Sequence, residues 1–220
     1  MGEDLIEFGA NSLLVEYDIE RDVLFVDARE IDTEFALGSL QLQLDQVTNL
    51  LEDPLAEPHA ISLDAEALQL DFTPYFSEIW QIQNVRAEAL VDLRRRQMDV
   101  LDMTAFVDGA QAYAQGRMYL PDENALPDDL PFGISMTATV DGAFTPETVL
   151  KFWPVTLGAD ARLWVEENVR EGDFSEAQFR MDLAPDELRD DRLDDEDLQL
   201  DFVFDNAVTS FLEDLPSVNR

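Results

Sequence analysis

Phe132-Gly133-Ile134-Ser135-Met136-Thr137-Ala138-Thr139-Val140 alternates apolar with small or hydroxylated residues without a break. Successive side chains of a strand point to opposite faces, so this stretch reads as a strand with one greasy and one wet face. Leu198, Leu200, Phe202 and Phe204 repeat the pattern against Gln199, Asp201 and Asp205, with Val203 breaking the polar side. So do Ala177, Phe179, Met181 and Leu183, and Leu40, Leu42 and Leu44. In Ile61–Phe72 the apolar phase runs through Ile61, Leu63 and Ala65, then slips at Ala67-Leu68 to Leu68, Leu70 and Phe72. A slip of one residue exchanges the two faces unless a bulge absorbs it, so a bulge is expected there.

Turn residues separate these strands at Asp18–Asp22, Asp108-Gly109, Pro121–Pro131 and Asp141-Gly142. Helical spacing is confined to two short stretches. Thr145-Pro146 supplies a hydroxyl N-cap and a proline at the first helical position, opening a helix over 145–152. A second helix is expected over 159–170, with Ala161, Trp164, Val165 and Asn168 near one face and Gly172 placed to end it. Leu68-Gln69-Leu70-Asp71-Phe72 recurs letter for letter as Leu198-Gln199-Leu200-Asp201-Phe202. Such self-similarity suggests stacked β units that extend one apolar surface. The expected architecture is mainly β with short α-helices, an elongated, twisted, mostly antiparallel sheet of about ten strands. Two related units are expected, a β-rich groove unit over 1–130 and a unit of strands plus helices over 131–220.

The composition excludes several functions. Of 220 residues, 49 are Asp or Glu and 14 are Lys or Arg, for a formal net charge of −35. Nucleic acid binding rests on cations that replace counterions along phosphates, so no nucleic-acid partner is expected. Docking on an anionic lipid surface is disfavoured for the same reason. At 46% hydrophobic residues the chain differs from a disordered acidic tail. With no cysteine, it has no disulfide, thiolate zinc site or Cys nucleophile. No apolar run approaches the ~20 residues that span a bilayer, and Met1–Phe8 lacks the basic and apolar regions of a signal peptide. Met1-Gly2 running straight into Glu3-Asp4-Leu5-Ile6 suits a piece of a longer protein.

Residues with chemistry are few. His59, the one histidine, sits in a proline-flanked loop, where nothing positions it as a base. Arg94-Arg95-Arg96 is the one basic cluster, suited to a lipid phosphate but more often an ion-paired or solvated face. Asp190, Asp191, Asp194, Asp195 and Asp197 lack EF-hand spacing and its glycine, so no metal site is expected. No cofactor is implied. A hydrolase using two carboxylates requires one acid of raised pKa beside one of ordinary pKa.

From Trp153 onward the sequence becomes specific. Trp153-Pro154, then Ala161-Arg162-Leu163-Trp164-Val165, Asn168 and Gly172, then the strand ending at Leu183, is similar to a region of the AsmA-like envelope proteins, especially the YhdP-like group. Phe211-Leu212-Glu213-Asp214-Leu215-Pro216 resembles the family's aromatic-Leu-Asp-Gly-Leu-Pro close, with Glu-Asp in place of Asp-Gly. The resemblance covers about residues 145–218. It implies a fragment of a bridge-like lipid transfer protein of the repeating β-groove kind, a taco-shaped sheet with a greasy concave face. It further implies a non-enzymatic, periplasmic role in phospholipid transport and outer membrane biogenesis, in a parent protein anchored in the inner membrane. The partners it implies are acyl chains and the rest of the parent, with membrane contact made elsewhere in that parent. The residues expected to line the groove are Phe132, Ile134, Met136, Val140, Phe179, Met181, Leu200, Phe202 and Phe204. Trp153, Pro154, Arg162 and Trp164 are expected to seat the helix on the sheet end, Arg162 meeting carbonyls or an acidic neighbour. A structural or protein-binding β module with a closed core is the competing expectation.

Overall fold

In a computed structural model of the chain, eleven strands among the described residues lie side by side in chain order, each antiparallel to the next. The structure describes residues 9–33, 36–71, 73, 76–120, 133–153, 155, 158–184, 197–209 and 218–219. The strands are β1 (Gly9–Asp18), β2 (Val23–Asp32), β3 (Ala36–Asp45), β4 (His59–Leu70), β5 (Trp80–Asp92), β6 (Gln97–Val107), β7 (Ala110–Tyr119), β8 (Gly133–Phe144), β9 (Val169–Leu183), β10 (Leu198–Thr209) and β11 (Val218–Asn219). Among the described residues three helices accompany them, α1 (Val47–Glu52), α2 (Pro146–Phe152) and α3 (Ala159–Asn168). The expected mainly antiparallel β architecture with short helices is what the chain adopts. The sheet is open and uncurled, with β1 and β11 at opposite edges. β7 pairs β8 from Gln111↔Asp141 to Tyr119↔Gly133, so the sheet runs on without a break between residues 1–130 and 131–220.

Register explains the two faces. Tyr17, Leu24, Leu44, Ile61, Ala89, Val100, Gly116, Met136 and Met181 are successive cross-strand partners from β1 to β9. Three positions away, or four in β6 where a register shift adds one, a second row runs on the other face through Asp27, Gln41, Asp64, Arg86, Thr104, Tyr113, Thr139 and Gln178. Neighbouring strands thus agree in phase from β1 to β9, and one face is apolar across them. A slip of one residue in any strand would break both rows.

Bulges keep that phase. Three β4 residues, Ala65 to Ala67, face two of β3 between the pairs Gly38↔Leu68 and Gln41↔Asp64. Ala65 and Leu68 are buried while Glu66 and Ala67 are exposed, so the slip expected at Ala67-Leu68 is absorbed there. Glu30 of β2 (φ 51) and Asn84 of β5 (φ 49) lie at the neighbouring register shifts. Gly38 (φ 146) passes so close to the bulge that an added Cβ would sit 2.5 Å from the Ala67 carbonyl oxygen. Glycine is therefore required at that crossing.

α2 begins as expected, Thr145 Oγ1 accepting from the Thr148 N–H at 3.4 Å with Pro146 at the first position. α3 departs from expectation. It ends at Asn168, two residues early, and Gly172 lies inside β9 rather than terminating the helix. The pairs Val169↔Thr209 and Glu171↔Val208 show why: ladder bonds to β10 take the backbone groups that another helical turn would have used. On α3 the buried residue is Val165, with Trp164 43% exposed and Ala161 also exposed, so the expected apolar face narrows to one residue. The echo falls in unlike places, since Leu68–Leu70 end β4 and Leu198–Phe202 open β10, two strands that run in the same direction, while Phe72 lies outside the described residues. Its letters reflect shared alternation rather than equivalent positions.

Candidate functional site: the apolar face

Of the residues expected to line a groove, Ile134 is 8% exposed, and Met136, Val140, Phe179, Met181 and Leu200 are half-buried on the same apolar face. Phe202 and Phe204 lie in β10, paired with Ala177 and Phe174. Phe132 and Pro154 lie outside the described residues.

The face is wider than those positions. β6 adds Met98, Val100 and Met103, and β7 adds Ala110, Ala112, Ala114, Gly116 and Met118. Every methionine except Met1 therefore stands on this face, within β6–β9. The signal for β7 was present, since Ala110–Met118 alternates without a break, but small side chains read as weakly apolar. Gly116 has its own reason to lack a side chain, because a Cβ would run into the Ser135 carbonyl and Met136 Cα of β8. The centre of this region is thus floored by alanine and glycine and flanked by thioethers, which adapt their shape to what they touch.

α2 covers one end of the face. Phe144, Ala110 and Ala177 are buried there, with Val149 of α2 packed on them. The Phe152 ring lies 4.9 Å from Trp80, and Trp80 lies 4.4 Å from Phe76 in an edge-on arrangement. Lys151 Nζ reaches Asp108 at 3.3 Å across the β6–β7 turn. Arg162 bridges one turn of α3 to Glu166 at 3.4 Å, the acidic neighbour expected for it, and Trp153 is half-buried just after α2.

α1 lies at the other end. Its own N-cap residue, Gln46, is left-handed and caps nothing; Asp22 of the β1–β2 turn accepts instead from the Thr48 N–H at 2.9 Å. Asp22 also accepts from the Tyr17 hydroxyl (2.7 Å) and the Thr48 hydroxyl (2.8 Å). His59 is not in a loop: it opens β4, 2% exposed, with Nε2 3.1 Å from the Pro54 carbonyl oxygen and Nδ1 without a hydrogen-bond partner. The strand ladder with Val91 draws it in. Arg94–Arg96 form the β5–β6 turn, where Arg95 meets Asp92 at 3.6 Å.

Among the described residues four carboxylates depart from ordinary acidity, and all four are lowered. Tyr17 and Thr48 hydrogen bonds lower Asp22, and the Arg29 guanidinium lowers Asp27. The Thr73 N–H and hydroxyl lower Asp71. Partial burial pushes Asp99 up, but Arg117 and Gln97 outweigh it and leave it low. None of the four is the proton donor that a two-carboxylate hydrolase requires. Among the described residues no group of three potential ligands is placed to hold a metal, and no helix is long and apolar enough to cross a membrane. Most of the Asp186–Asp197 stretch lies outside the described residues.

No family model matches the chain, and neither a curated protein nor a solved structure matches it.

Proposed function

We propose that this chain is a non-enzymatic piece of an AsmA-like envelope protein, whose apolar sheet face carries lipid acyl chains during phospholipid transport between the inner and outer membranes. In this reading the chain works in the periplasm as part of a parent protein anchored in the inner membrane. The observation that carries it is the continuous apolar face, in phase across β1–β9 and faced by no second sheet among the described residues. A soluble domain ordinarily buries such a face against another layer. Each acyl methylene laid on it gains about 0.8 kcal/mol, and the attraction is non-directional, so a tail can bind firmly yet slide. Met136 and Met181, side by side beside the Ala and Gly floor, suit tails of differing shape.

Native mass spectrometry on protein expressed in bacteria and purified under mild conditions tests this. Co-purified phospholipid is expected, lost in Met136→Asp and retained in Thr137→Asp, the neighbouring residue on the opposite face. A protein free of lipid, or one whose lipid is indifferent to Met136→Asp, overturns the reading.

One observation favours a second reading, a protein-binding β module. Edge strand β1 exposes Leu13 (56%), Leu14 (51%) and Val15 (53%), apolar on both faces. An edge with no proline, lysine or bulge is a template for strand addition.

A further inference from the structure

The polar face of the sheet holds a concavity of about 730 Å³ that spans β2–β7. The register shifts at Glu30, Ala65–Ala67 and Asn84 lie along it, and bulges bend strands, so a shallow trough forms where a regular sheet would be smooth. A second hollow of about 270 Å³ adjoins it, sharing Asp27, Gln41 and Asp64. The floor is the cross-strand row Asp27, Gln41, Asp64, Arg86 and Thr104. Two exposed rings flank that row, Phe25 at 37% and Phe106 at 40%, on a face where rings have no core to fill.

Charge narrows the ligand. On a chain of net charge −35, the larger trough sets two guanidiniums, Arg29 and Arg86, against Asp27, Asp64 and Glu66. Arg29 pairs with Asp27 at 2.8 Å and Arg86 with Asp64 at 3.2 Å. The trough is therefore close to neutral, which suits neither a polyanion nor a polycation. Amides, carboxylates, guanidiniums and hydroxyls offer donors and acceptors together, the pairing that vicinal hydroxyls require. Aromatic faces, negative at the centre, attract the polarised C–H groups of a sugar ring. Neighbouring strands lie about 4.8 Å apart, close to the advance per residue of an extended β-1,4-linked chain, so one sugar falls on each strand along the row.

We propose that this trough binds a neutral, extended, β-1,4-linked oligosaccharide across strands β2–β6, independently of any lipid on the opposite face. The test titrates the ¹⁵N-labelled full chain with cellohexaose and with chitohexaose, following side-chain amide signals of Gln41, Asn84 and Gln111 by NMR. Saturable shifts with at least one probe are expected, with affinity falling at least tenfold in Phe106→Ala and in Gln41→Ala and unchanged in Met136→Asp. Both trough variants alter exposed side chains, and the NMR spectrum itself reports whether each has folded. Absence of saturable shifts with both sugars, or affinity unchanged in both trough variants, overturns the proposal.

Discussion

On one continuous apolar face, strands β3–β6 and strands β7–β9 are built from different side chains. In the first region Leu68, Ile82 and Val85 are buried together with Ala65 and Ala105, and Leu40, Leu63, Leu70, Trp80 and Val107 pack around them. Branched side chains have few rotamers, so they interlock and exclude other contacts. In the second region Ala112, Ala114, Gly116 and Ala138 are small, and the unbranched Met118, Met136 and Met181 pack around a buried pair of branched residues, Ile134 and Leu183. The first region closes on a larger cluster of branched side chains; the second sets fewer of them among thioethers and small residues. Under the proposed function, the second region is where an acyl chain would find most surface left to bury.

The difference is open to direct challenge. Leu68→Ala is expected to cost about 2–4 kcal/mol, read from urea denaturation, since a buried branched side chain leaves both lost transfer energy and a cavity. Met118→Leu is expected to cost under about 1.5 kcal/mol, being nearly volume-conserving in a yielding neighbourhood. Equal losses from the two would erase the distinction between the regions. The smallest effect lies at the α1 end, beyond both. Asp22 is lowered in the folded state, so its contribution is present above its ordinary value of 3.8 and is lost as pH falls through the lower folded value. Asp22→Asn is therefore expected to shrink the drop in Tm on acidification below about pH 4, while leaving the rest of the pH profile in place.

Much of the fold was legible. Ile134–Val140 and Ala177–Leu183 read as one-faced strands because a half-buried strand must alternate, and β8 and β9 pair in phase. The bulge at Ala67-Leu68 was legible because a slip in polarity has a single structural remedy. Thr145-Pro146 announced α2 through local capping chemistry. His59 was misread, since flanking prolines signal a loop and say nothing of the ladder with Val91 that buries the ring. Gly172 was misread because a glycine at helix-ending distance carries no record of a competing strand. β7 was passed over because alanines, though in perfect alternation, weigh little on any hydrophobic scale. The bulges at Glu30 and Asn84 left no mark, since both are polar residues whose left-handed backbone arises from pairing.

The sequence by itself determined that this is an acidic chain of one-faced strands with two short helices in its second half, because alternation and caps are local properties read residue by residue. Only the tertiary structure decided that eleven strands share a single open layer, that the methionines of β6–β9 meet on one face, and that bulges hollow the other. Those outcomes depend on register between strands up to dozens of residues apart, and register is set by pairing across the sheet, which no local pattern encodes.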